Sequence, residues 1–281
     1  MSEGLTTVPQ SLRDFSGLLV LLGAGKMGSA LLEGWLRRGL DPNNIAVIEP
    51  AVSPPIAELT RRGLQLNPPV RALKNATAIV LAVKPQVASQ AIPPLAPLIG
   101  ASTVVVSIMA GRTLAFLSEA LAKPCAVVRA MPNTPAAIGR GITVAVPRNA
   151  DDGQRALADR LLAATGTVEW TTDEALMDAV TAVSGSGPAY VFLLAEALTQ
   201  AGIAAGLPHA LAAKLARETV AGAGELLHRS PLDPAVLRAN VTSPGGTTAA
   251  ALGVLMGGNG LAALLEKAVA AATARSRELG G

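Results

Sequence analysis

LLVLLGAGKMGSALLEGWLRRG, residues 18–39, passes from an apolar strand through a glycine loop into an amphipathic helix. Gly23, Gly25 and Gly28 stand in G-x-G-x-x-G register, and the strand before them and the helix after them give that weak pattern its weight. Gly23 permits a tight turn, Gly25 lets a backbone approach a pyrophosphate, and Gly28 lets the helix pack on the strand. Main-chain N–H groups at the helix start then face the phosphates. Gly23, Ala24, Gly25, Lys26, Met27 and Gly28 are therefore the candidate dinucleotide loop.

The same grammar repeats outward from this loop. LLVLL (18–22) is followed by IAVI (45–48), AIVLAV (78–83), TVVVS (103–107), CAVVRA (125–130), ITVAV (142–146) and TVEW (167–170), with helical patterns between them. Gly, Pro, Asn or Asp mark the joints, which is the pattern of an α/β domain. The near-continuous apolar character of the runs predicts strands covered on both faces, in a mostly parallel sheet. From Asp173 onward only long Ala- and Leu-rich stretches occur, broken at 185–188, 206–208, 230–234, 244–246 and 257–260. The expectation is a leader over 1–17, a Rossmann-type domain over 18–171 and an all-α domain over 172–281. Alanine-rich helices approach closely but bury little area per residue, so that domain is expected to pair with a second copy.

Composition narrows the classes of function. A chain of 281 residues, half of them apolar, suffices for two ordinary domains and is not disordered. Three Phe, two Trp and one Tyr are too few for a base-stacking surface. A net charge of +3, with no Lys/Arg run longer than two, gives no stripe to track phosphates, so nucleic acid is not expected as a partner. Mean hydropathy is +0.43, yet the apolar stretches are short or interrupted, and no membrane span is expected. MSEGLTTVPQSLRDF at the start lacks a basic segment followed by an apolar one and does not read as a secretory signal. Cys125 is the sole cysteine, and no His/Cys cluster has zinc spacing, so the expectation is a cytoplasmic protein with neither disulfide nor metal.

Glu49 closes the second strand, 21 residues after Gly28. An acid there accepts hydrogen bonds from the adenosine ribose hydroxyls and repels a 2′-phosphate, which favours NADH. Arg61 and Arg62 could still reach a phosphate, so NADPH stays open. Ligands of open α/β sheets lie beyond the carboxyl ends of the strands. That places AVKPQ (82–86), SIMAG (107–111) and RAMPNTP (129–135) around the nicotinamide, with Ala82, Val83, Lys84, Pro85, Met109 and Ala110 as candidate contacts. Lys84 suits a phosphate or ribose contact, a catalytic ammonium or a helix-start cation. Asn133 suits a polar site residue or a turn former.

GAGKMG, AVKPQ, RAMPNTP, AVSGSGPAYVFLLAEAL (182–198) and NVTSPGGTT (240–248) together resemble the pyrroline-5-carboxylate reductase family, over nearly the whole chain from Leu19 to Leu279. The last two blocks are far more specific than any dinucleotide loop. The resemblance implies hydride transfer from NADH or NADPH to the cyclic imine of 1-pyrroline-5-carboxylate, giving L-proline. It places the substrate carboxylate at Ser243, Gly245, Gly246 and Thr247, where Pro244-Gly245-Gly246 can converge backbone N–H groups at a helix start. Without the resemblance the same residues read as an ordinary interhelical turn capped by Thr247. By resemblance Thr248 is the catalytic hydroxyl on the ring nitrogen, Asn240 contacts the cofactor, and Thr181 and Glu174 lie near the substrate. Ser184 and Ser186 also suit plain N-caps.

In the family the 240–248 loop comes from the neighbouring subunit, so the resemblance implies a homodimer, and often five dimers in a decamer. Members that use NADPH often carry small polar residues, not an acid, after the second strand and an Asn in the loop after the third. Here Glu49-Pro50 and the apolar NPPV (67–70) occupy those regions. Three other functions compete. A β-hydroxyacid dehydrogenase would place a lysine four residues after Gly187, where this chain has Val191. A reductase of another imine is open, as is a nucleotide-binding regulator without chemistry. His209 and His228 lie in helical stretches and read as surface or helix-end residues.

Overall fold

Leu19–Leu22 (β1) is buried at every position, near the centre of an eight-stranded sheet in the computed structural model, which describes residues 11–280. The other strands are Ile45–Ile48 (β2), Gln65–Leu66 (β3), Ala76–Leu81 (β4), Ile99–Ser107 (β5), Ala126–Met131 (β6), Gly141–Arg148 (β7) and Gly166–Trp170 (β8). Their order is β3-β2-β1-β4-β5-β6-β7-β8. All pairs are parallel except β6 with β7. The seven strands expected from the sequence are all present. β3 was not expected, because two residues form no run that periodicity can register.

Alternation along the central strands divides the core between the two faces of the sheet. Leu19 and Leu21, with Val80 and Val106, pack against Leu31, Leu32 and Trp35 of the helix Lys26–Arg37. Val20, Leu22, Ile79 and Val105 pack on the other face with Ile92, Leu95 and Leu117. Each such fully buried side chain contributes about 1.5–3 kcal/mol. The Trp35 indole N–H satisfies itself on the Leu161 carbonyl at 2.9 Å.

The chain divides into two compact units. One holds the sheet and runs through Gly185, joined by 273–280; the other is Ser186–Ala272. The expected boundary at 171/172 falls where the sheet ends, but the segment after it belongs to the sheet unit, with Met177 and Ala182 buried. The expected leader also differs over 11–17: Leu12 and Phe15 are core residues, and the Leu12 N–H bonds the Arg38 carbonyl at 2.9 Å. Residues 1–10 lie outside the described residues.

The second unit is helical throughout: Gly187–Ala204, His209–Arg229, Pro234–Asn240, Thr247–Leu255 and the first part of Leu261–Gly280. Breaks fall at the Gly/Pro/Ser positions that mark them in the sequence. A Cβ on Gly202 would lie 3.2 Å from that of Ala212, so the first two helices approach closely through small residues. Ala212 and Ala216 are the only buried apolar residues of this unit among those described. Phe192, Leu193 and Val254 are 62%, 63% and 78% exposed, so its apolar surface is not covered by its own chain. Among the described residues no helix is long and apolar enough to cross a membrane, and no cluster of metal-ligating side chains occurs.

Candidate active site

Because the chain leaves β1 for β2 and β3 on one side and returns to β4 on the other, the strand order reverses between the parallel neighbours β1 and β4. The glycine loop ends β1 and AVKPQ follows β4, so the two flank this switch point, where open α/β sheets bind their ligands. Gly23 has φ +90°, and a Cβ on it would come within 2.8 Å of the Ala82 and Val83 backbone. A Cβ on Gly28 would lie 2.3 Å from the Gly23 carbonyl oxygen. Gly25 is different: a Cβ there would meet nothing within 4 Å. It is the N-cap of Lys26–Arg37 and brings no side-chain cap, leaving the first-turn N–H groups to an outside acceptor. Two glycines thus serve packing and the third opens space over a helix start, which fits a dinucleotide pyrophosphate.

Glu49, just beyond β2, is turned toward this loop. Its Oε2 accepts the Ala24 N–H at 2.7 Å and its Oε1 accepts the Ala51 N–H at 2.8 Å. Asn67, just beyond β3 and at φ 49°, brackets the Glu49 backbone: its Oδ1 accepts the Glu49 N–H at 2.8 Å and its Nδ2 donates to the Glu49 carbonyl at 2.9 Å. NPPV is therefore not apolar filler, as its composition suggests. Its asparagine fixes the acid, and an Asn before Pro was the available sign of a built turn.

The loops after β4 and β5 are tied to each other. Arg112 donates from Nε and Nη2 to the Pro85 carbonyl at 3.2 and 2.7 Å, with its guanidinium 4.6 Å from the Phe116 ring centroid. Sequence reasoning missed Arg112, which stands one residue beyond the SIMAG block. Met109 is buried beneath the loop, whereas Ala110 and Lys84 are exposed. The C-terminal turn lies against the same loop: a Cβ on Gly111 would be 3.2 Å from the Leu279 carbonyl. Ser276 Oγ donates to Asp178 at 2.7 Å, holding that turn in place.

Four side chains singled out from the sequence make contacts of their own up to the start of the helical unit. Asn133 Oδ1 accepts the Ile142 N–H at 3.0 Å, the turn-former alternative. Glu174, expected near the substrate, has its Oε1 engaged internally by Arg129 and by the Leu114 N–H, at 2.8 and 2.7 Å. It caps the helix Leu114–Leu121 and neutralises an arginine whose side chain is only 7% exposed. Thr181 begins a π-helical turn, Thr181–Gly185, and bonds the Met177 carbonyl at 2.8 Å. Neither serine is a side-chain cap: Ser184 bonds the Val180 carbonyl inside the π turn, and Ser186 stands at the N-cap position without a cap bond. The π turn has no signature that helical periodicity can register.

In the helical unit, Asn240 ends one helix and Thr247 starts the next. Between them Pro244 and Gly245 are the central residues of a turn closed by the Gly246 N–H on the Ser243 carbonyl at 3.1 Å, with Gly245 at φ +70°. Gly246 is the N-cap of Thr247–Leu255 and supplies no side chain, so Thr247 is not the cap, and the first-turn N–H groups share one end with Ser243 and a half-buried Thr248. Such a cluster of donors suits a carboxylate. His209 starts an exposed helix and His228 lies in its last turn.

A doubly wound sheet with an open glycine loop at its switch point, followed by helices with an uncovered apolar surface, defines a nicotinamide-dinucleotide oxidoreductase that self-associates. Residues 18–111 match the family description "NADP oxidoreductase coenzyme F420-dependent", and residues 174–279 match "Pyrroline-5-carboxylate reductase dimerisation". The chain is 39% identical to the pyrroline-5-carboxylate reductase of Pseudomonas aeruginosa over 93% of its own length and 96% of that protein's. It is 41% identical to the Synechocystis enzyme of the same name, over 93% and 98%. The solved pyrroline-5-carboxylate reductase of Coxiella burnetii superposes with a TM-score of 0.87 at 34% identity, covering 95% of this chain and 100% of that one. The Plasmodium falciparum pyrroline carboxylate reductase, solved with NADP bound, gives 0.79 at 29%, covering 95% and 99%. The chain belongs to the pyrroline-5-carboxylate reductase family.

Proposed function

We propose that this chain reduces the cyclic imine of 1-pyrroline-5-carboxylate to L-proline with NADH or NADPH, the last step of proline biosynthesis. The observation that carries the proposal is the open phosphate loop at the switch point of a chain that aligns end to end with reductases of that name. When bound, the reduced nicotinamide supplies a hydride to the imine carbon. The protein's share is placement, since a protonated imine is already electrophilic.

Gly23, Ala24, Gly25, Lys26, Met27 and Gly28 hold the pyrophosphate through main-chain N–H groups, and Glu49 faces the adenosine ribose. Ala82, Val83, Lys84 and Pro85, with Met109 and Ala110, bound the nicotinamide side, where Arg112 fixes the relation between the two loops. Ser243, Gly245, Gly246 and Thr247 hold the substrate carboxylate. The Thr248 hydroxyl bonds the ring nitrogen, keeping its proton in place as the carbon is reduced. Asn240 contacts the cofactor and Thr181 lies beside the substrate. Glu174 acts at one remove, through Arg129 and the helix it caps. The working unit is a homodimer in which each active site takes its 240–248 loop from the partner copy, with five dimers forming a decamer, in the cytoplasm.

The test is loss of NADH or NADPH absorbance when 1-pyrroline-5-carboxylate is added to the purified protein. Oxidation of either cofactor supports the reading. No oxidation, with both cofactors shown to bind, points to another imine.

A further inference from the structure

We infer that Glu49 makes this enzyme selective for NADH over NADPH, an inference that rests on the dinucleotide reading above. A carboxylate at the end of the second strand accepts hydrogen bonds from both ribose hydroxyls of an adenosine and repels a 2′-phosphate. Whether it discriminates depends on whether it can move aside. Here both of its oxygens are already held, Oε2 by the Ala24 N–H of the glycine loop and Oε1 by the Ala51 N–H. The main chain beneath it is held too, since the Asn67 side chain bonds the Glu49 N–H and carbonyl together. Swinging the carboxylate away would take the acceptor from the part-buried Ala24 N–H, and shifting the backbone would break the Asn67 pair as well.

The stretch of chain directly after Glu49 offers a 2′-phosphate no cation. Pro50 to Thr60 contain no lysine or arginine, so no cation follows the acid along the loop. Arg61 and Arg62 come only at the far end of the helix Pro54–Leu59, and Arg61 there is paired with Glu58 at 2.8 Å. Among the described residues no lysine or arginine makes an ion pair with Glu49. A phosphate in that position would face a fixed negative group in place of an arginine clamp. Each carboxylate oxygen that accepts one N–H keeps lone pairs for a ribose hydroxyl, so the same geometry that excludes NADPH receives NADH.

The experiment is calorimetric titration of the intact protein with NADH and with NADPH in the absence of substrate, then of Glu49→Gln and Glu49→Ser. The expected result is NADH binding at least about tenfold tighter than NADPH, with both variants closing most of that gap, chiefly by binding NADPH more tightly. Glu49→Gln keeps the side-chain shape and one acceptor oxygen, for the Ala24 N–H, while removing the charge, so it reports on repulsion even if Glu49→Ser folds poorly. NADPH binding as tightly as NADH to the unaltered protein overturns the inference while leaving the reductase reading intact. An unchanged ratio in a folded Glu49→Gln overturns the role of the charge. Failure of both dinucleotides to bind overturns the cofactor reading and this inference with it.

Discussion

At the residue scale, the three loop glycines separate folding from binding. Gly25 has an ordinary φ of −65° and open space where a Cβ would project, so Gly25→Val should fold with unchanged thermal stability yet lose dinucleotide binding. A titration in which Gly25→Val binds NADH normally would remove the loop from the site. Gly28→Ala forces a Cβ against the Gly23 carbonyl and should cost about 1–3 kcal/mol of stability, read from the denaturant midpoint. Thr248→Ala should lower turnover about a hundredfold while sparing cofactor affinity, the size expected when a positioned proton-handling group is lost. Turnover within twofold of the unaltered enzyme would take Thr248 out of the mechanism. Burial pushes the Cys125 thiol above its ordinary pKa, so at neutral pH it should react with iodoacetamide more slowly than free cysteine does.

At the element scale, what could be read in advance follows the length of the signal. Strands of four or more aliphatic residues and the Gly/Pro breaks between helices announce themselves; the two-residue β3 and the π turn at Thr181–Gly185 do not. The phosphate loop was legible because each glycine meets a different demand: a positive φ at Gly23, close packing at Gly28 and open space at Gly25. The contacts among loops were not, since Arg112 on Pro85 and Asn67 on Glu49 join segments that only the sheet order brings together. Glu174, by resemblance a residue near the substrate, has one carboxylate oxygen engaged by Arg129 and the Leu114 N–H. Glu174→Ala would strand the buried Arg129 charge, and unfolding measurements should show a loss of about 3–5 kcal/mol with cofactor affinity retained. A raised KM for the imine at full stability would instead make Glu174 a substrate contact.

At the scale of the whole molecule, the helical unit covers very little apolar surface with its own chain. Phe192, Leu193 and Val254 are more than half exposed, and residues 174–279 match a dimerisation family. The alanine-rich composition foretold this, because small side chains give close helices but little buried area each. Leu193→Glu should shift the protein toward the monomer in sedimentation and abolish turnover, while NADH still binds the sheet unit; an unchanged assembly would exclude that helix face from the interface. The subunit number has no comparable sequence signal, since a closed ring of dimers depends on the angle at a second contact.

A product balance tests the reductase activity itself. The purified protein is supplied with 1-pyrroline-5-carboxylate and limiting NADH, and L-proline is quantified against the cofactor consumed. L-proline should form mole for mole with the NADH oxidised. NADH bound but unspent, with no L-proline, would contradict it.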